Sequence, residues 1–164
     1  MSAEVDAVEY TRKHWAESGQ PAADQFAAMG ALMRTHQLMV AELDRLLKPH
    51  SLSRTAFLLM ATLLISRDYT RPLGQLSKHL MVHPTTVTLV IDQLEGRDLV
   101  TRRPHPTDRR TVLATLTEEG LRVVRKAGED LATEQFGLTG VSDALAQRVT
   151  AVLGQVRAKM GDID

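Results

Sequence analysis

Residues 84–117 read Pro84-Thr85-Thr86-Val87-Thr88-Leu89-Val90-Ile91-Asp92-Gln93-Leu94-Glu95-Gly96-Arg97-Asp98-Leu99-Val100-Thr101-Arg102-Arg103-Pro104-His105-Pro106-Thr107-Asp108-Arg109-Arg110-Thr111-Val112-Leu113-Ala114-Thr115-Leu116-Thr117. Pro84 suits the first position of a helix, and Val87, Val90, Ile91 and Leu94 recur at three- and four-residue spacing, the signature of one buried helical face. Residues 99–103 and 111–116 are then strand-like runs, joined by a polar segment that holds prolines and paired arginines. The pattern is a helix followed by a basic hairpin. Pro84, Thr85, Thr86, Thr88 and Leu89 form an outward helix face suited to a major groove, while the hairpin tip brings Arg109 and Arg110 to phosphate or to the minor groove. The expected fold is mainly α with a small β-hairpin wing: a winged helix-turn-helix.

Working outward toward the N-terminus, Arg71-Pro72 opens a short segment in which Leu73, Leu76 and Leu80 face inward and Gln75, Lys78 and His79 face out. Met81-Val82-His83 is the turn before the recognition helix, so residues 73–94 supply the helix-turn-helix proper. Lys78, His79 and His83 are placed to contact the DNA backbone or bases, and threonines and Leu89 to touch thymine methyls. Ser51-Leu52-Ser53 offers caps for a core helix running through Ser66. Before it, Phe26, Met29, Met33, His36, Val40, Leu43 and Leu47 follow the spacing of a coiled-coil seam, widened by Leu32, Met39 and Leu46. Such a helix buries more than one face, the second against a partner chain. An N-terminal helix over residues 4–18 ends at Ser18-Gly19-Gln20-Pro21, with Trp15 as its packing anchor or as a wall of a ligand site.

Toward the C-terminus, Thr117 caps a helix whose first turn carries Glu118 and Glu119, where the helix dipole favours acids. After the glycines at 137 and 140, Val141, Leu145, Val149, Val152, Leu153, Val156 and Met160 mark a last amphipathic helix.

The chain has 164 residues, 43% hydrophobic and 24% charged, as expected of one globular domain. Residues 56–65 form the longest nearly apolar run, well short of the ~20 residues of a membrane span. Residues 1–7 have acids and no apolar export segment, so cytoplasmic residence is expected, with no membrane partner. With no cysteine, disulfides, thiolate zinc sites and thiol-based sensing are excluded. Net charge is zero, yet residues 71–111 hold seven Lys or Arg against four Asp or Glu, with Arg102, Arg103, Arg109 and Arg110 at the wing. For DNA binding that distribution matters more than the total.

Asp108-Arg109-Arg110, with Leu116-Thr117 six residues on and a Leu-Val helix exit before the wing, resembles the MarR family of bacterial transcription regulators. The likeness is strongest over residues 73–120, and the flanking helices suit that layout across the chain. It implies a single domain over residues 1–164, with a DNA-binding region at 51–117 and homodimerisation helices at 1–47 and 118–164. It also implies that Asp108 orients and Arg110 inserts, a division of roles that fits a charge-assisted bond between them. A ligand pocket between the dimerisation helices and the winged region brings Met33, His36, Phe57 and Met60, with Trp15, into consideration for a small aromatic or phenolic effector. A Trp-bearing N-terminal helix resembles the family's urate-responsive branch, but Leu58 stands where that branch has an acid. Relatives often carry arginine where this chain has Leu89, and glycine where it has Asp98; here Gly96 is expected to make the helix-ending turn instead.

The resemblance and the residues agree on a ligand-responsive repressor that binds double-stranded DNA as a homodimer on a pseudo-palindromic operator, with no cofactor. The alternative is a winged helix used only for protein contacts. Some methyltransferases carry a winged dimerisation domain, but they need a glycine-rich cofactor loop that this sequence lacks, so no enzymatic activity is expected. His79 and His83 are four apart without Cys or clustered acids to complete a metal site, and none is assigned.

Overall fold

A computed structural model describes residues 6–108 and 110–162. The periodic stretch at its centre is helix α5 (Pro84–Glu95), with Val87, Val90, Ile91 and Leu94 all buried. It follows α4 (Leu73–Leu80) across a turn in which Met81 takes the left-handed conformation at φ 51°. The turn is closed by the buried Ser77, whose hydroxyl donates to the Val82 carbonyl at 2.8 Å while the Val82 N–H returns to the Ser77 carbonyl at 3.2 Å. This pair fixes how α5 leaves α4.

The wing is the hairpin of β2 (Val100–Pro104) and β3 (Val112–Leu116), in antiparallel register from Val100 opposite Leu116 to Pro104 opposite Val112. A third strand, β1 (Thr70–Pro72), pairs with the other side of β3, giving the order β1-β3-β2. No pattern in the sequence announces β1. It has only three residues, and its partners, such as Thr115 opposite Thr70, lie far along the chain.

The remaining helices surround this unit. They are α1 (Ala7–Glu17), α2 (Ala23–Leu47), α3 (Arg54–Leu64), α6 (Glu118–Thr133) and α7 (Asp143–Lys159), with short 3-10 turns at Lys48–His50, Arg67–Tyr69 and Gln135–Gly137. The expected caps form: Ser53 accepts from the Ala56 N–H, and Thr117 accepts from the Gly120 N–H at 2.9 Å. Residues 4 and 5 of the expected N-terminal helix lie outside the described residues. One apolar core joins α3, α4, α5, the sheet and α6, built on Leu59, Met60, Leu63, Leu76, Ile91, Val100, Ala114 and Leu131. This burial is the main stabilising term of the fold.

One expectation changes. Gly96 is right-handed at φ −61°, and the left-handed residue before β2 is Asp98 at φ 56°. Aspartate tolerates that conformation better than most non-glycine residues. The two outer helices also behave differently from core helices: α7 has no buried residue, and α2 buries only Ala27 and Leu47, leaving Met29, Leu32, Met33 and Leu38 exposed. Among the described residues no helix is long and apolar enough to cross a membrane.

Candidate nucleic-acid interface

The N-terminal half of α5 presents Pro84, Thr85, Thr88 and Leu89 to solvent, with Thr86 half-buried. Leu89 is 58% exposed. His83 is the helix N-cap, its Nδ1 accepting from the Thr85 N–H at 3.3 Å and lying 3.0 Å from the Thr85 hydroxyl. The Thr88 hydroxyl donates back to the Pro84 carbonyl. Lys78 and His79 are exposed in the last turn of α4, where cations suit the helix dipole.

At the wing the cations divide into two groups. Arg103 and Arg110 are exposed and make no ion pair among the described residues, as is true of Lys78. Arg102, expected at the DNA, is instead drawn onto α5: its Nη1 lies 2.6 Å from Asp92, and its Nε donates to Glu95 at 2.9 Å. Arg109 lies outside the described residues.

Asp108 also acts differently from the expectation. One carboxylate oxygen accepts the Arg110 backbone N–H at 3.0 Å and the other accepts the Thr111 hydroxyl at 2.6 Å. It shapes the turn through these two bonds, and the Arg110 guanidinium makes no ion pair among the described residues. The Thr111 hydroxyl, then the Arg110 N–H, hold the Asp108 carboxyl below its ordinary value, so it stays charged into acid. The tip is closed further by the His105 N–H on the Thr111 carbonyl at 2.9 Å and the Thr111 N–H on the Asp108 carbonyl at 3.0 Å. Between this tip and the start of α4 lies an open cavity of about 550 Å³ whose walls include Gln75, Lys78, His105 and Arg110. Two free cations of the candidate interface therefore face one groove.

A second cavity, of about 340 Å³ and mostly apolar, lies between α2, α3 and the 3-10 turn after α6. Its wall includes His36 and Phe57, as expected, but not Trp15, Met33 or Met60. Met60 is fully buried in the core, and Met33 is 57% exposed on α2 away from the opening. Trp15 stacks on Phe26 with centroids 4.1 Å apart and donates to the Pro21 carbonyl, which pins α1 to α2. Met39, Leu43, Arg54, Phe136 and Leu138 complete much of the wall. Phe136 is not legible in the sequence as a wall residue, because its loop position is set by a left-handed backbone at φ 54° and not by any periodicity. Among the described residues, no group of three or more His, Asp or Glu side chains could hold a metal ion.

Known proteins resemble this chain in sequence and in fold. The sequence model described as MarR family matches residues 52–112. The HTH-type transcriptional regulator PecS of Dickeya dadantii (strain 3937) is 30% identical over 130 residues, covering 78% of this chain and 78% of that protein. Among solved structures, Sco5413, a MarR family transcriptional regulator from Streptomyces coelicolor, superposes with a TM-score of 0.79 at 33% identity, over 87% of this chain and 99% of that one. BpsR of Bordetella bronchiseptica, whose DNA binding is regulated by 6-hydroxynicotinic acid, superposes with a TM-score of 0.69 at 26% identity, over 82% of this chain and 93% of that one.

Proposed function

We propose, from the premise that this chain belongs to the MarR family of DNA-binding transcriptional regulators, that it is a ligand-responsive repressor acting as a homodimer on a pseudo-palindromic operator. Residues 51–117 are the DNA-binding region, and residues 1–47 and 118–164 supply the dimer contacts. The observation that carries the DNA reading is an uncharged, exposed α5 face (Pro84, Thr85, Thr88, Leu89) together with exposed Lys78, Arg103 and Arg110, which make no ion pair among the described residues. α5 enters the major groove, where threonine methyls and Leu89 meet thymine methyls. Arg110 reaches the minor groove, whose narrow stretches concentrate negative potential. Two α5 helices in a dimer lie about one helical turn apart, roughly 10 base pairs.

The apolar cavity beside His36 and Phe57 is the effector site, and its lining suits an aromatic or phenolic ring. BpsR, whose DNA binding responds to an aromatic acid, supports that class. A ligand there changes operator affinity only through different affinities for the two arrangements of the dimer.

The test is binding to the DNA upstream of the gene that encodes this chain, across a salt series, for wild type and Arg110→Ala. The expected result is a specific complex, with affinity reduced in the variant and a log-log salt slope shallower by about 0.9 for each phosphate that the variant no longer neutralises. Equal binding by both proteins removes the wing from the interface. No preference over random DNA by wild type or by a dimeric preparation favours the protein-contact alternative.

A further inference from the structure

Helix α5 carries two acids, Asp92 and Glu95, in its last turn and has no basic residue there. Both features run against simple electrostatics. Negative charge at a helix C-terminus opposes the helix dipole, and negative charge on a helix that approaches phosphates repels them. The compensating group is Arg102, on the strand that leads into the wing. Its guanidinium reaches both carboxylates at once, with Nη1 2.6 Å from Asp92 and Nε 2.9 Å from Glu95, while Nη2 also meets Glu95. The planar fork suits this double grip, which a lysine ammonium does not reproduce.

We propose that Arg102 is a positioning residue that locks the wing to the recognition helix, and that Asp92 and Glu95 are specificity determinants acting through it without touching DNA. This inference rests on the DNA-binding reading above. The helix and the wing read neighbouring grooves whose spacing the duplex fixes, so a protein that holds the two at one angle binds without ordering them at the moment of contact. Arg102 lies in register with Ala114 of β3, so the grip passes to the whole hairpin. The Arg102 guanidinium holds the Glu95 carboxyl below its ordinary value, consistent with a pair that stays charged.

The test uses the full-length protein, the duplex it selects most tightly from a random-sequence pool, and an unselected duplex. Two variants separate geometry from charge. Asp92→Asn with Glu95→Gln makes α5 more positive by two charges; a phosphate-contacting Arg102, released from its partners, then binds both duplexes more tightly. The expected result is the opposite on the selected duplex, a loss of about tenfold, with binding to the unselected duplex unchanged or stronger. Arg102→Lys keeps the charge and removes the fork; it is expected to lose affinity for the selected duplex and to keep it for the unselected one. Retained unselected binding reports that each variant is folded. Tighter binding of the acid variant to both duplexes, or full selected-duplex affinity in Arg102→Lys, overturns the lock while leaving the DNA reading intact. A wild type that selects no sequence overturns the DNA reading, and the lock with it.

Discussion

Gly120 stands at the point where the first turn of α6 crosses the end of the turn before β2. A Cβ built there would collide with the Leu99 carbonyl oxygen and lie 2.9 Å from its carbon, both backbone atoms. Neither can yield as a flexible side chain does, because the Leu99 carbonyl also accepts the Thr117 N–H at 3.1 Å and the Thr117 hydroxyl donates to the Asp98 carbonyl at 2.7 Å. Helix propensity alone favours alanine over glycine by about 1 kcal/mol. Here the sign reverses: Gly120→Ala is expected to lower stability by about 3 kcal/mol, the upper end for overpacking, in a urea unfolding curve. A variant as stable as wild type would show that the crossing is looser than this geometry. Single residues are the least legible part of the sequence. Arg102 and Asp108 read as polar residues of the wing, but which atoms they bind depends on a register and a turn that spacing does not specify. Asp98 stands out as a departure from relatives, yet the sequence points to Gly96 for the left-handed turn, since glycine carries no steric penalty there and aspartate a modest one.

Elements are more legible, because a buried face leaves a period in the sequence. α5 begins at Pro84 as expected, α2 ends at Leu47 before the proline, and both wing strands fall within one residue of the expected runs. The turn between α4 and α5 lacks the usual punctuation, since Met81 occupies a left-handed position that most sequences give to glycine or asparagine. Met81 is 76% exposed, so the strained backbone is not offset by burial of its side chain. A left-handed residue costs about 1–2 kcal/mol, and glycine gives back part of that through the unfolded chain. Met81→Gly is therefore expected to raise stability by about 0.5–1 kcal/mol in thermal or urea unfolding. Operator affinity should hold in the same variant, because the α4-to-α5 angle is set by the Ser77 and Val82 bonds on the buried side of the turn. A stability loss would mean that the Met81 side chain packs against something, such as a second chain.

At the scale of the molecule, α2 and α7 carry apolar faces that the core of a single chain does not take up. Leu145, Val149, Val152, Leu153 and Val156 lie along α7 between 36% and 57% exposed, a continuous stripe that the described residues of one chain leave largely open. Exposed patches of this kind mark interaction surfaces in stable proteins. The second copy of this chain is the occupant expected from the family, and it would also cover the exposed methionines and leucines of α2. The winged region is tied to those helices by Arg97, just after α5, which donates to the Ser51 carbonyl at 2.6 Å and the His50 carbonyl at 3.3 Å at the foot of α2. Val152 is the most exposed valine of the stripe, at 57%. Val152→Asp places a carboxylate where the partner would desolvate it, which costs several kcal/mol for an unpaired charge. In sedimentation the wild type is expected at twice the chain mass and the variant at the chain mass, with the winged core still folded because its apolar residues are buried within one chain. On DNA the variant should lose the two-half-site complex and keep only weak, salt-sensitive binding, since each half-site then has to be held alone. A variant that remains dimeric would move the interface to α2, and one that is monomeric yet binds the full operator as tightly as wild type would remove the dimer from the mechanism of recognition.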